Sequence, residues 1–199
     1  MKLGGINLNE GGLGGYKLCN IPANKLPQDV ATAVVKVNMD LLGASYLPIR
    51  LVGTQIVNGV NYMFIAKEVR ATANKETQIV MLVINIPAGD ATGAQAKIVE
   101  VINEAELPAE VQDAFDAAVG QLHGVNYVPL LYVGNQVVKG INYYIICEAT
   151  TIYPGAVPAP VVVCVNAFNG EYTLVSVEQI DAFDEDFQPH LGKPLGEWP

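Results

Sequence analysis

The feature that most constrains this chain is that it contains itself twice. Residues Leu26 to Tyr62 align without a gap on Leu107 to Tyr143. Leu26, Pro27, Val30, Ala33, Leu41, Gly43, Tyr46, Pro48, Val52, Gly53, Gln55, Val57, Gly59, Asn61 and Tyr62 each recur 81 positions later. Glycine and proline mark positions where the backbone is special, so their joint recurrence at one offset implies one backbone made twice. The correspondence runs on through Gly89 and Gly170, after which the second copy is shorter, as surface loops tolerate. The boundary is placed near Asn103 to Leu107, which gives units 1–104 and 105–180 and a tail 181–199 that is acidic and rich in Pro and Gly.

Within each unit the hydrophobic period changes from helical to strand-like. After Pro27, the positions Val30, Ala33, Val34, Val37 and Leu41 follow the spacing of one helix face; after Pro108, Val111, Ala114, Phe115, Ala118, Val119 and Leu122 do the same. Gly43 and Gly124 are expected to end these helices. Four β-rich runs follow each: 46–57, 61–71, 77–86 and 96–102, then 127–138, 142–152, 161–168 and 172–179. A helix with one apolar stripe must bury it, and the nearest cover is the sheet that follows it. The expected fold class is therefore α+β, two tandem units, each one helix on a curved antiparallel sheet.

Charge and motif content exclude several functions. A net charge of −9 repels phosphate backbones and anionic lipid, so neither nucleic acid nor a membrane surface is an expected partner. At 51% hydrophobic residues, each unit has material for a core. The opening residues hold no apolar run of signal-peptide type, and no later run reaches membrane-spanning length; the expected location is cytoplasmic, or secreted if a leader has been removed. Cys19, Cys147 and Cys164 share no metal-ligand spacing and read as buried thiols; His123 and His190 are far apart. No metal or cofactor is expected. The Gly-rich start lacks the Lys-Ser or Lys-Thr of a phosphate loop. The shared residues are Gly, Pro, Val, Asn, Gln and Tyr, without a recurring acid, base and nucleophile, so no enzyme is expected.

One motif points elsewhere. Gln55-Ile56-Val57-Asn58-Gly59 precedes Asn61-Tyr62, and Gln136-Val137-Val138-Lys139-Gly140 precedes Asn142-Tyr143. Here, and in Ala167-Phe168-Asn169-Gly170, the chain resembles the cystatins, whose first hairpin carries Gln-x-Val-x-Gly and whose second carries an aromatic residue. The lack of paired cysteines is similar to the stefin branch. The resemblance implies a protein inhibitor of papain-like cysteine peptidases, in which an N-terminal glycine segment and two hairpin loops form an apolar wedge. In this chain they would be Leu13, Gly14 and Gly15, the two Gln-to-Gly loops, and Phe168; replacing Gly59 or Gly140 by Glu is expected to abolish binding with the fold intact. The first unit's second loop lacks the aromatic residue, and the second unit has no free N-terminal segment. The loops also read as plain hairpins, Asn58-Gly59 being a favoured turn pair. The alternative to an inhibitor is a binding or self-assembly protein that uses edge strands, the N-terminal arm and the tail with Trp198 to build a homo-oligomer or filament.

Overall fold

Pro27 and Pro108 stand immediately before the two helices, α1 (Gln28–Met39) and α2 (Ala109–Val119). Proline has no N–H to lose, and its carbonyl is still free to start the ladder: Pro27 accepts from Ala31 N at 2.9 Å, and Pro108 from Gln112 N at 2.9 Å. The helices stop before the glycines expected to end them, at Asp40 and Gly120. Gly43 and Gly124 instead lie in the links to the strands that follow. The buried stripes are Val30, Ala33, Val34 and Val37 on α1 and Val111, Ala114, Phe115 and Ala118 on α2.

The computed structural model describes residues 16–180, together with the backbone of β1 (Lys2–Leu3), β2 (Ile6–Asn7) and β3 (Gly12–Leu13). The tail 181–199 lies outside the described residues. The remaining strands are β4 (Tyr16–Pro22), β5 (Ala44–Val57), β6 (Gly59–Arg70), β7 (Thr77–Ile86) and β8 (Lys97–Ile102). After α2 come β9 (Val125–Val138), β10 (Gly140–Thr151), β11 (Ala159–Phe168) and β12 (Glu171–Gln179). They form a six-stranded sheet in the order β3-β4-β5-β6-β7-β8 and a four-stranded sheet in the order β12-β11-β10-β9, with β1-β2 as a separate ribbon. All pairings are antiparallel. No described helix is long and apolar enough to cross a membrane.

The expected α+β class is corrected by this architecture. The chain is mostly β, two large antiparallel sheets and a small ribbon with only two α-helices, of 12 and 11 residues, among the described residues. Each helix covers one face of one sheet. Helix α1 packs with Leu51, Phe64, Val80, Leu82 and Ile84, and α2 with Tyr143, Ile145, Cys147, Val161, Val163 and Val165. The opposite faces meet each other in a shared core: Leu18, Ile49, Val52, Met63, Ile65, Ile79, Met81 and Val83 from the first sheet pack with Leu130, Val133, Ile146, Val162 and Ile180. The reason is visible in β7 and β11. Ile79 to Ile84 and Val161 to Val165 are unbroken apolar runs, and because side chains alternate faces, such a run must be covered on both sides. One helix supplies only one cover, and the other sheet supplies the second.

Bulges aim the long strands at that core. The register skips Ile49 and Val52 in β5, and Leu130 and Val133 in β9, at the same offset of 81. All four skipped residues are buried between the sheets. A bulge adds one residue to one strand and bends it, so each long strand curls around its helix while pushing two extra side chains into the shared core. One polar bond crosses the layers: Ile79 N, on the stretch of β7 beyond β8, donates to the Glu148 carboxylate at 2.5 Å.

Candidate functional site

Gly59 and Gly140 make the two hairpin turns possible. Their φ angles are +101° and +93°, a region that side chains disfavour. A Cβ at Gly59 would stand 2.1 Å from Ile86 O and 2.8 Å from Ala88 N; one at Gly140 would stand 2.3 Å from Ala167 O and 2.9 Å from Phe168 Cβ. Each first hairpin is thus pressed onto the start of the second loop of its own unit. This corrects the expectation that Glu at either glycine leaves the fold intact: the side chain would collide with backbone.

The glutamines of the motif are partly committed to structure. Gln55, Asn61 and Asn85 are cross-strand neighbours, and their amides form a ladder: Asn85 Nδ2 donates to Asn61 Oδ1 at 2.8 Å, and Asn61 Nδ2 to Gln55 Oε1 at 3.0 Å. In the second unit Asn166 Nδ2 donates to Asn142 Oδ1 at 2.8 Å, and Tyr144 Oη to Gln136 Oε1 at 2.9 Å. Asn85 and Asn166 were not singled out from the sequence, although they too are 81 positions apart. These bonds, all between amides in the first unit and completed by the Tyr144 phenol in the second, tie three strands together just below the turn, which stiffens the tip.

Beyond the ladder the side chains point to solvent. Ile56 and Val137 are 88% and 81% exposed, and Val57 and Val138 are 45% exposed. Asn58 and Lys139 are exposed at the turns, and the Lys139 ammonium lies 5.0 Å from the centroid of the half-buried Phe168 ring, a cation–π contact that joins the two loops. In the first unit the corresponding loop starts Pro87-Ala88-Gly89. It is set by Asp90, whose carboxylate accepts from Gln95 N at 2.8 Å and Thr92 N at 3.1 Å; these bonds hold its pKa below the ordinary value.

The N-terminal segment reaches the first tip. Leu13 pairs with Tyr16, and β4 runs along β5 with Lys17 opposite Thr54, so Leu13 stands at the same end of the sheet as Gln55 to Gly59. Gly14 and Gly15 lie outside the described residues. That Tyr16–Pro22 forms a strand was not anticipated from the sequence; its alternation is short, but Leu18 and Asn20 are buried and the Arg50 guanidinium donates to Asn20 Oδ1 at 2.6 Å. Among the described residues the second unit has no such strand beside β9.

The cysteines take no part in the tips. Cys147 faces α2, whereas Cys164, opposite Tyr144, lies on the other face of the same sheet, so the two thiols cannot meet. Burial pushes the Cys147 thiol far up, and Cys19 up to about 11. Among the described residues no three His, Cys, Asp or Glu side chains gather as metal ligands would. A shallow depression of about 510 Å³ lined by Asn126 and residues 150–156 lies at the end of the second sheet away from the tips. No model of a known protein family matches the chain, and a search of curated proteins finds no significant relative.

Proposed function

We propose that this chain is a reversible protein inhibitor of papain-like cysteine peptidases, a binding protein and not an enzyme, that inserts apolar hairpin tips into a partner's cleft. One observation carries this reading: Ile56-Val57 and Val137-Val138, large apolar side chains at equivalent places, stand in solvent on tips stiffened by cross-strand side-chain hydrogen bonds and braced by a second loop. Burying such a side chain contributes about 1.5–3 kcal/mol, and a rigid tip loses little entropy on docking. An inhibitor that is not to be cleaved works by shape and desolvation and needs no nucleophile. The identity of the partner rests on the Gln-x-Val-x-Gly resemblance. The first tip is the stronger candidate, because Leu13 approaches it and the second tip has no counterpart.

The test is a titration of papain with the intact chain. Inhibition is expected in the micromolar range or below, weakened at least tenfold by Ile56→Asp with Val57→Asp, which changes only solvent-facing side chains. The same exchange at Val137 and Val138 is expected to have the smaller effect. Absence of inhibition at micromolar chain, with the folded state verified by circular dichroism, rejects the proposal.

A further inference from the structure

The N-terminal arm holds a second, shorter repeat. Leu3-Gly4-Gly5-Ile6-Asn7-Leu8 stands ten positions before Leu13-Gly14-Gly15-Tyr16-Lys17-Leu18. Both stretches pair their backbones in the same register: Lys2 with Asn7 and Leu3 with Ile6, then Gly12 with Lys17 and Leu13 with Tyr16. The later hairpin continues into β4, which covers β5 and sends Leu18 into the shared core. The earlier one is attached to neither large sheet.

Among the described residues the four-stranded sheet lacks that covering strand. By the offset of 81, the residues that should form it are 97–103, but β8 uses Lys97–Ile102 to complete the first sheet. The edge of β9 is left open among the described residues from Leu131 to Asn135; the neighbouring Pro129 O accepts from Ala105 N at 2.8 Å. Space is open there too. A Cβ at Gly53 would meet Met63 Cε at 2.9 Å and, from the covering strand, Tyr16 Cδ1 at 3.4 Å, whereas one at the equivalent Gly134 meets nothing within 4 Å. The edge also carries no charge. Proteins keep edge strands apart with charge, and the outer strands β8 and β12 carry Lys97, Glu100, Glu171 and Glu178, but Val125 to Val138 contains no charged residue.

We propose that the β1–β2 hairpin of a second copy of the chain completes this sheet, with Ile6, Asn7 and Leu8 running antiparallel to β9. In the register that β4 adopts on β5, Asn7 falls opposite Asn135 and Leu8 opposite Gly134. Ile6 then takes the place over Gly134 that Tyr16 takes over Gly53. The donor is a second copy because, among the described residues of one chain, β1 and β2 pair only with each other while β9 stands open. Arm and acceptor edge are different surfaces, so each copy can give an arm and take one, and the contact joins unlike surfaces of the two copies. This inference stands apart from peptidase inhibition, since it uses neither tip.

Size-exclusion chromatography with light scattering on the intact chain is expected to show a mass that rises with concentration. Deletion of residues 1–10 keeps the Leu13–Tyr16 hairpin and all of β4, and is expected to give a monomer. Ile6→Asp with Leu8→Asp should do the same without touching the body. A synthetic peptide of residues 1–10, added to the deletion variant, should slow amide exchange at Leu131 to Asn135 at least tenfold. A monomer at millimolar concentration, or assembly that survives the deletion, overturns the proposal. So does a monomeric intact chain whose Leu131–Asn135 amides lose protection on deletion, because the arm would then serve its own sheet.

Discussion

Truncating Ile146 to alanine asks whether the two sheets stand or fall together. Ile146 is 1% exposed on β10 and packs in the core shared with the first sheet. The change removes three carbons at about 0.8 kcal/mol each, and the void left in a wall that cannot collapse from either side brings the cost to about 3–4 kcal/mol. For a protein of this size that is a fall of about 6–16 °C in Tm. Calorimetry should show one transition before and after, because β10 and β7 bury each other's side chains. Native-state hydrogen exchange gives the sharper readout: amides around Phe64 and Leu82, in the other half of the chain, should lose protection by the same free energy as those around Ile145 and Val163. Two calorimetric peaks of which the variant moves only one, or unchanged protection at Phe64, would refute the shared core. The same reasoning expects a fragment of residues 105–180 to aggregate, since it would expose Leu130, Val133, Ile146 and Val162.

Other consequences are equally direct. Gly59→Ala should cost about 2–5 kcal/mol by urea denaturation, from left-handed strain plus collision with Ile86 O, whereas Gly89→Ala, with φ of +87° and open space at its Cβ, should cost only the strain, about 1–2 kcal/mol. Burial pushes the Glu148 carboxyl up, and the bond from Ile79 N pulls back only in part. With the folded pKa above the unfolded one, its contribution is fully present below the unfolded value and is lost as pH rises through the folded value. Glu148→Gln keeps an acceptor for Ile79 N and should gain on the parent chain across that rise, as measured by denaturation at a series of pH values. Cys19, with its thiol at about 11, holds roughly a thousandth of its population as thiolate near pH 8, so a disulfide reagent should label it slowly in the native state and label Cys147 only on unfolding.

The sites were legible to different depths. The Gln-to-Gly hairpins could be located from residues alone, because a turn needs glycine at a fixed place and the duplication shows that place twice. Which motif residues face outward could not. Gln55 turns into an amide ladder because Asn85 arrives from a third strand, and Ile56 faces solvent because nothing crosses beyond the ladder. Gly53 and Gly134 are equivalent positions of the two repeats, yet one lies under Tyr16 and the other under open space.

What the sequence by itself determined is the duplication, the helix stripes and the eight longer runs that become strands, since a period of 3.6 or 2 is written into consecutive side chains; the short strand Tyr16–Pro22 and the helix ends were not. It also held, in the unbroken apolar runs of β7 and β11, the requirement that both faces be buried. Only the tertiary structure decided what buries them. Periodicity states how many faces need cover and is silent on the partner, so two helix-and-sheet units became one β-rich body with a common core. The same silence explains why the open edge of β9 appears only in the structure: a single segment, 97–102, was available to two sheets, and one of them took it.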